Sequence, residues 1–382
     1  MKRLALVWHI HQPFFVPRDE LLDQIRGSYE GLVELHRELA VPWSLNVSGA
    51  LLERIEVMAP ELLDALRAQV ITGQLELLGS GKCHPLLPLL SPARAKAQVL
   101  ADKAVKEGLF QRAPTGFWPT DLAVGHGQTA LLADAGYEVV VADGTAKLAQ
   151  AMRPSFTLAE THGAPVLAPI LDPLVAESEF ASVDRATLAD RSIDFVYRHP
   201  ALTQRLVDQS EGALHRAEAV EPFIAAVSEY LNHAAPRLLL GDDGERVTSG
   251  TLLNYRSVLE GLRGTGLEFA TLSTYRASAT PRAAYVPTST ATGSFDAWRL
   301  TADDEACLLR LQQVSARLCA MQRGTGPRMR DTLATLSEAL LPLEDAAFTF
   351  WKHARRTREP FLAGLLAIDE ALDALEGEPA GA

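Results

Sequence analysis

Polar and ionisable side chains collect at or just after the ends of several predicted strands. Histidine and carboxylate groups are the side chains that most often hold or transfer protons in enzymes. Taken singly, a histidine at a strand end is typical of a structural residue, and Asp243–Gly244 is a turn signal. Their coincidence at several strands favours one shared polar site. Its members are His9, His11, Gln12, Glu76, His84, Asp121, Asp242, Asp243 and Glu245.

Parallel strands are needed to bring these side chains to one rim. Short β-rich runs alternate with amphipathic helical stretches through the first three quarters of the chain, which predicts parallel strands joined by crossover helices. This number of units suits a closed or nearly closed (β/α) barrel, whose chemistry lies at the C-terminal ends of the strands. Strands are predicted over 3–9, 43–47, 74–78, 115–118, 138–142, 193–197, 237–240 and 268–272. Helices are predicted over 21–39, 59–70, 93–109, 127–135 and 251–262.

A change in composition divides the chain. Residues 274–294 are rich in Ser, Thr, Ala and Pro, and the pattern beyond them is almost wholly helical. We therefore predict a barrel over residues 1–275, a connecting segment over 276–302 and a helical domain over 303–382, packed on the barrel. The helices of that domain are predicted over 305–321, 328–341, 343–354 and 360–375.

Composition excludes several classes of protein. The chain has 382 residues, and its 36 Lys and Arg against 48 Asp and Glu give a net charge of −12, which disfavours a nucleic-acid partner. Cys83, Cys307 and Cys319 lack CxxC spacing, which argues against a disulfide framework or a cysteine zinc site. The apolar run over 4–8 is too short for a secretion signal, and no stretch suits a membrane span. We expect a cytoplasmic protein; the pattern leaves its oligomeric state open.

Seven motifs resemble family 57 of the glycoside hydrolases in their order and approximate spacing. The first two are long and specific, the later ones are weaker, and together they cover nearly the whole chain. They are WHIHQP (8–13), GQLELLGSGKCHPLLPLL (73–90), GFWPTDLAV (116–124), FVYRHPALT (195–203), DDGE (242–245), GSFDAW (293–298) and EDAAFTFW (344–351).

The resemblance implies a fold and a reaction. The fold is an α/β (β/α)7-type incomplete TIM-like barrel followed by a C-terminal helical region. The reaction is retaining hydrolysis or transfer at the linkages of an α-glucan or maltooligosaccharide, which requires two carboxyl groups and neither a metal nor an organic cofactor. Asp121 occupies the position of the family's glutamate nucleophile, and Asp243 that of its acid/base aspartate.

A set of sugar-binding residues is also implied. His9, His11, Glu76 and Trp118 match positions that line the family's glucose subsite, whereas His84 in the CHP turn has a structural alternative. Several aromatic side chains have the shape to stack on sugar faces, although helically spaced aromatics more often form core. The complete predicted set is His9, His11, Gln12, Glu76, His84, Trp118, Arg198, Glu245, Trp298, Phe348 and Trp351.

Asp121 departs from the family pattern in a way that bears on activity. Aspartate is one methylene shorter than glutamate, so on an unchanged backbone its oxygens sit back by about 1.5 Å. Retaining enzymes hold their two carboxyls about 5–5.5 Å apart and inverting enzymes about 6.5–9.5 Å. A displacement of this size costs on the order of 10²-fold in rate unless a loop movement restores the distance. An aspartate that holds a water for inversion is a further alternative.

Other polar positions of the family are also missing. Ala346 and Ala347 stand where relatives commonly have an acidic residue. Thr203 and Gln204 stand where the family has another acidic residue, after its arginine and histidine. The alternative function is therefore a catalytically reduced relative that binds an α-glucan without cleaving it.

A third hypothesis belongs to another class of enzyme. His9 and His11 lie two residues apart on a strand, so both imidazoles point to one face, as in a metal site that supports hydrolytic deacetylation. Within these motifs, contacts with sugar hydroxyls are favoured over a metal. A purely structural or protein-binding role is the last alternative, and the negative charge gives it no specific support.

Overall fold

One mostly parallel sheet organises the molecule. The computed structural model describes residues 2–145, 147, 178–210, 216–292, 295–299, 301–324, 327–348 and 354–377. Its strands are β1 (Arg3–Ile10), β2 (Trp43–Val47), β3 (Leu75–Gly79), β4 (Gly116–Phe117), β5 (Val139–Asp143), β6 (Val183–Leu188), β7 (Arg191–Arg198), β8 (Arg237–Asp243), β9 (Glu268–Ala270) and β10 (Arg282–Ala283). Their hydrogen-bonded order is β10-β6-β7-β5-β4-β3-β2-β1-β8, with β9 also paired to β1.

The parallel strands curl into a barrel. Strands β8, β1, β2, β3, β4, β5 and β7 pair in parallel in that order. The two ends of this run meet where the backbone N–H of His199, just after β7, donates to the carbonyl of Leu239 in β8 at 2.9 Å. Apolar side chains such as Val7, Leu78 and Val141 fill the interior. The predicted (β/α)7-type barrel is confirmed.

Helices cover the outer face of the sheet, and further helices follow the last strand along the chain. Apolar positions of β1 and β2, including Trp8 and Trp43, pack against those helices in the largest core. A π-helical turn, Ile25–Tyr29, joins the first two helices. The helices are α1 (Arg18–Gln24), α2 (Glu30–Leu39), α3 (Gly49–Met58), α4 (Pro60–Thr72), α5 (Pro92–Phe110), α6 (Thr129–Asp134), α7 (Pro200–Ser210), α8 (Arg216–His233), α9 (Leu252–Gly264), α10 (Leu272–Ala277), α11 (Ala302–Gly324), α12 (Pro327–Leu340) and α13 (Ala354–Gly377).

The last three helices enclose an apolar core of their own. Leu311, Leu318, Leu365 and Leu372 are buried there, and Phe15 from the loop after β1 packs against the same core. None of the helices in the described residues is both long and apolar enough to cross a bilayer. The segment that we predicted as a connection contains β10, which pairs with β6.

Strand β6 and the stretch before the last helix depart from the sequence-based expectations. Strand β6 was not predicted; it pairs antiparallel with β7 through a turn in which Ala189 and Asp190 have positive φ. The helix predicted over 343–354 is wrong in its first half, where two short 3₁₀ turns flank Asp345. Asp345 takes an extended conformation, and its carboxylate accepts a hydrogen bond from the backbone N–H of Ala347 at 2.9 Å. Residues 349–353 lie outside the described residues.

Candidate active site

Three histidines form a stacked row beyond the carboxyl end of β1. The rings of His9 and His84 lie 4.9 Å apart and those of His11 and His84 lie 4.1 Å apart, both pairs nearly parallel. Trp118 lies parallel to His9 at 6.3 Å on the side towards the barrel interior. The row therefore presents planar rings with polar edges at the rim of the barrel.

Hydrogen bonds assign the protons on His9 and His84. The Asn46 amide nitrogen donates to two backbone carbonyls, at 3.1 and 3.0 Å, so its oxygen accepts from Nδ1 of His9 at 2.7 Å. This leaves Nε2 of His9 as an acceptor for Nε2–H of His84, 3.0 Å away. Burial lowers the pKa of His9 to about 3, and burial also lowers that of His84 well below its usual value. Both rings are therefore neutral at physiological pH.

His11 links the barrel to the turn before the last helix. Its Nε2 lies 3.2 Å from the Asp345 carboxylate, and its Nδ1 lies 2.7 Å from the hydroxyl of Ser48. Its backbone N–H donates to Glu245 at 2.9 Å. The hydroxyl of Tyr29 also donates to Glu245, at 2.7 Å, and accepts from Gln12 at 3.2 Å. Four of these groups follow β1, β2 or β8, so strand ends position them.

Four carboxyl groups share one electrostatic environment next to this row. Burial, together with the charges of Asp243 and Asp345, raises the pKa of Asp121 to about 7, and Asp242 acts in the same direction. Burial and the charge of Asp243 likewise raise the pKa of Asp242. The charges of Asp243 and Asp345 thus act on Asp121, although the three residues come from distant parts of the sequence.

Asp121 has an unusual backbone conformation. Its φ of 48° and ψ of 28° lie in the left-handed region, which aspartate and asparagine tolerate better than longer side chains. Its carbonyl accepts from the backbone N–H of Ala291 at 2.8 Å, which ties this turn to the segment after β10. The local backbone therefore favours the shorter acidic side chain.

Arg198 supplies the nearest balancing positive charge. It ends β7 and donates to the buried Asp143 through Nε at 2.8 Å and to the carbonyl of Gly241 at 3.1 Å. Its guanidinium also lies 3.5 Å from Asp242. Its charge lowers the pKa of Asp121, against the larger effects of burial and the neighbouring carboxylates.

Glu76 is not brought into this group. It is the second residue of β3, and its carboxylate accepts from the backbone N–H and the hydroxyl of Ser273, at 2.8 and 2.6 Å. Ser273 lies in the first turn of α10, which follows β9 near the starting ends of β1 and β3. The side chain thus caps the first turn of α10.

The predicted aromatic contacts belong to packed cores. Trp298 is 1% exposed and packs with Ala123 and Ala346, while Phe348 packs against Phe361 of α13. Trp118 is also buried, 3% exposed, beneath the histidine row. Trp351 lies outside the described residues. As placed, these described rings support the walls of the site.

Two polar residues at the end of β2 belong to the site and were not predicted. Asn46 and Ser48 lie two residues apart at the end of β2, as His9 and His11 do at the end of β1, and register pairs His9 with Asn46. That spacing was a usable signal. Asp345 offered none, because its partner His11 lies 334 residues away.

Removing the charge at Asp121 is expected to stabilise the fold. When folding raises the pKa of a carboxyl, the folded state loses stability as the pH rises from the pKa of the unfolded state towards that of the folded state. One pKa unit corresponds to about 1.4 kcal/mol. Allowing for partial solvent access, we expect Asp121→Asn to raise the free energy of unfolding by about 2 kcal/mol at about pH 8.

Calorimetric melts of both proteins at about pH 8 and pH 5 test this expectation, since the gain should shrink at the lower pH. Asp64→Asn, at a side chain that is 73% exposed, is the matched control and should change little. An Asp121→Asn variant less stable than the parent at pH 8 contradicts the expectation.

The model of the family described as glycosyl hydrolase family 57 matches residues 18–246. A 4-alpha-glucanotransferase of Thermococcus litoralis is 30% identical over 148 residues, which cover 37% of this chain and 22% of that protein. The matched region therefore spans less than a quarter of that relative.

Solved structures share the fold. The T. litoralis 4-alpha-glucanotransferase superposes with a TM-score of 0.70 at 18% identity, covering 96% of this chain and 58% of that chain. The GH57-type branching enzyme of Pyrococcus horikoshii gives 0.74 at 14%, covering 96% and 88%. An exo-type maltose-forming amylase of Pyrococcus sp. ST04 gives 0.72 at 12%, covering 99% and 81%. At these identities the likeness establishes the fold alone.

Proposed function

The chain belongs to glycosyl hydrolase family 57, and on that premise we propose that it performs retaining hydrolysis or transfer at α-glucosidic bonds of an α-glucan or maltooligosaccharide. Asp121 is the nucleophile and Asp243 the acid/base in this proposal. The observation that supports it most directly is the position of Asp243 at the end of β8, in register with His9 of the histidine row, together with the effect of its charge on the buried Asp121.

The two acids act together in the first step, and Asp243 acts again in the second. The ionised Asp121 attacks the anomeric carbon while Asp243 gives its proton to the leaving oxygen, so the glycosidic bond breaks and a glycosyl ester forms. Water or a sugar hydroxyl then loses its proton to Asp243 and displaces the ester. Hydrolysis and transfer differ only in which acceptor reaches the ester first.

The neutral imidazole of His84 suits the recognition of a sugar hydroxyl. A neutral ring has one nitrogen that donates and one that accepts, and each hydroxyl can do both. Both ring nitrogens of His9 are engaged, by Asn46 and His84, so His9 orients the row, and Nδ1 of His84 is left to accept from a sugar hydroxyl. The histidine row thus serves as a preorganised wall for one sugar ring.

The rate is expected to rise as pH increases through about 7. Only the ionised form of Asp121 can attack, and at about pH 6 a group with a pKa of about 7 is about one-tenth ionised. We therefore expect kcat/KM for maltoheptaose to increase roughly tenfold between about pH 6 and pH 8. EDTA-treated protein is assayed by chromatography of the products, and circular dichroism at each pH controls for folding. A flat profile over this range would remove Asp121 as the nucleophile.

A second candidate function is α-glucan binding without turnover. The shorter acid at position 121 and its raised pKa, which leaves about half of the side chains protonated at pH 7, both favour it. Calorimetry with maltoheptaose at about pH 8, followed by product analysis of the same sample, separates the two functions. Binding with intact sugar supports the second, and cleavage supports the first. An absence of binding across maltooligosaccharides and amylose overturns both.

A further inference from the structure

Residues 286–291, which follow β10, run antiparallel to the turn that carries Asp121. Val124 and Ser289 form an isolated bridge there, in which the backbone N–H of each donates to the carbonyl of the other at 3.2 Å. We call residues 286–291 the strap. We propose that the strap positions the carboxyl group of Asp121 for attack on the sugar, and that Gly125 makes the required close approach possible. The role of the strap rests on the proposed function, in which Asp121 is the nucleophile.

Further backbone hydrogen bonds join the strap to the turn on either side of this bridge. The N–H of His126 donates to the carbonyl of Val286 at 2.7 Å, and the N–H of Ala291 donates to the carbonyl of Asp121 at 2.8 Å. Backbone bonds do not depend on side-chain rotamers, so they fix the path of the turn over residues 121–126. The last of these bonds reaches the candidate nucleophile itself.

Gly125 lets the two segments approach closely. A β-carbon at this position would lie 2.4 Å from Cα of Thr288 and 2.5 Å from its backbone nitrogen. Backbone atoms cannot rotate away as the end of a side chain can, so any side chain here would push the strap from the turn. The φ of Gly125 is −170°, which any residue adopts. Space, and not backbone conformation, is therefore what requires glycine here.

The turn needs external support because of its backbone conformation. Asp121 and Leu122 are consecutive residues with positive φ, at 48° and 52°. This region is unfavourable for residues with a side chain, and it persists where the surrounding structure holds it. Leu122 is buried in the barrel interior, which supplies one support. The strap supplies a second, through the carbonyl of Asp121.

The strap is itself fixed in an apolar core. Val286 and Val124 are fully buried, and both belong to one cluster with Phe117, the last residue of β4. Thr290 of the strap is also fully buried. The strap therefore connects the turn of Asp121 to the end of the preceding strand, and any movement of the strap would disturb this closely packed core.

Small shifts of this turn should have large effects on the reaction. A misplacement of about 1 Å at a reacting group can cost about 10²-fold in rate. Burial and the charges of Asp243 and Asp345 raise the pKa of Asp121 to about 7, so a displacement of its carboxyl group towards solvent should lower that pKa. The rate and the pKa of Asp121 therefore both report the position of the carboxyl group.

Gly125→Ala tests the role of the strap, and Gly127→Ala is the matched control, because a β-carbon at Gly127 has no neighbour within 4 Å. We expect kcat for maltoheptaose to fall about 100-fold in Gly125→Ala, with KM changed less than about threefold, since the histidines lie on other segments. Carboxyl ¹³C NMR titration, with the signal of Asp121 assigned by its loss in Asp121→Asn, should show the pKa of Asp121 falling from about 7 to below about 6. Gly127→Ala should match the parent in kcat, KM and this pKa.

A second pair of variants repeats the test if Gly125→Ala does not fold. Ala291→Pro removes the N–H that donates to Asp121, whereas Ala291→Ser keeps it. Ala291→Pro should therefore lower kcat at least about tenfold more than Ala291→Ser does. Circular dichroism confirms that each variant is folded. A folded Gly125→Ala or Ala291→Pro variant that keeps the kcat and the Asp121 pKa of the parent overturns the proposal, even if it is less stable, because the strap then contributes to stability alone.

The NMR titration requires no glucan, so it separates the role of the strap from the proposed function. A parent protein that cleaves no maltooligosaccharide contradicts the proposed reaction. In that case a pKa of Asp121 that falls in Gly125→Ala and not in Gly127→Ala still supports positioning of this carboxyl group by the strap. An unchanged pKa in a folded, inactive Gly125→Ala protein overturns it.

Discussion

Asp243→Asn is expected to lower kcat/KM for maltoheptaose by at least about 10³-fold. General acid–base catalysis contributes typically 10²–10⁴-fold, and an amide can neither protonate the leaving oxygen nor deprotonate the acceptor. Asp121→Asn should lose at least as much, because an amide cannot form the glycosyl ester. Chromatographic product analysis at about pH 8, where the Asp121 carboxyl is mostly ionised, gives both rates.

The two variants differ in a second readout. An activated glycosyl donor with a good leaving group bypasses the need for acid catalysis, so it should restore ester formation in Asp243→Asn and leave Asp121→Asn inactive. Asp208→Asn, at an exposed aspartate of α7, is the control. Activity in Asp243→Asn within twofold of the parent enzyme contradicts the assignment.

Glu344→Ala is expected to lower the free energy of unfolding by about 3–5 kcal/mol. Glu344 is buried and accepts from Arg94 at 2.6 Å, and Arg94 is itself only 2% exposed. Removal of the carboxylate leaves the guanidinium buried without its counter-charge. The same carboxylate accepts from Gln98 at 2.7 Å, so a second buried donor also loses its partner.

An exposed ion pair provides the matched control. Glu34 and Arg37 form a pair on α2 with both side chains about half exposed, so Glu34→Ala should cost less than about 1 kcal/mol. Guanidinium unfolding followed by circular dichroism compares the two variants under one condition. Equal losses from Glu344→Ala and Glu34→Ala would show that the buried pair contributes no more than the surface pair.

The Glu344 interaction also affects the candidate site. Gln98 on α5 accepts from the backbone N–H of Cys83 at 3.0 Å and donates to the carbonyl of Leu341 at 2.9 Å. Cys83 precedes His84, and Glu344 precedes Asp345. The buried side chain of Gln98 therefore bonds to both turns, the one that carries His84 and the one that carries Asp345. Loss of Glu344 should weaken the site as well as the fold.

The barrel and its rim could be read from the sequence. Each of the eight predicted strands occurs, for example Trp43–Val47 with unchanged bounds, because a buried parallel strand is a short apolar run between helical patterns. His9 and Asp243 lie at the rim because they follow such runs, and carboxyl ends of parallel strands share one edge. Strand β6 escaped notice because half of its residues are exposed and its pattern is weak.

Only the folded chain decided which side chains face one another. The strand-end pattern predicted Glu76 as a site residue and did not predict Asp345. In the structure the Glu76 carboxylate accepts from Ser273, and Asp345 lies beside His11. Local patterns fix whether a residue is helical or extended and which face it occupies. Contacts between segments hundreds of residues apart depend on how those segments pack, and no local pattern encodes that. The raised pKa of Asp121 depends on this packing too, since it arises from burial and from carboxylates that only the tertiary structure brings near.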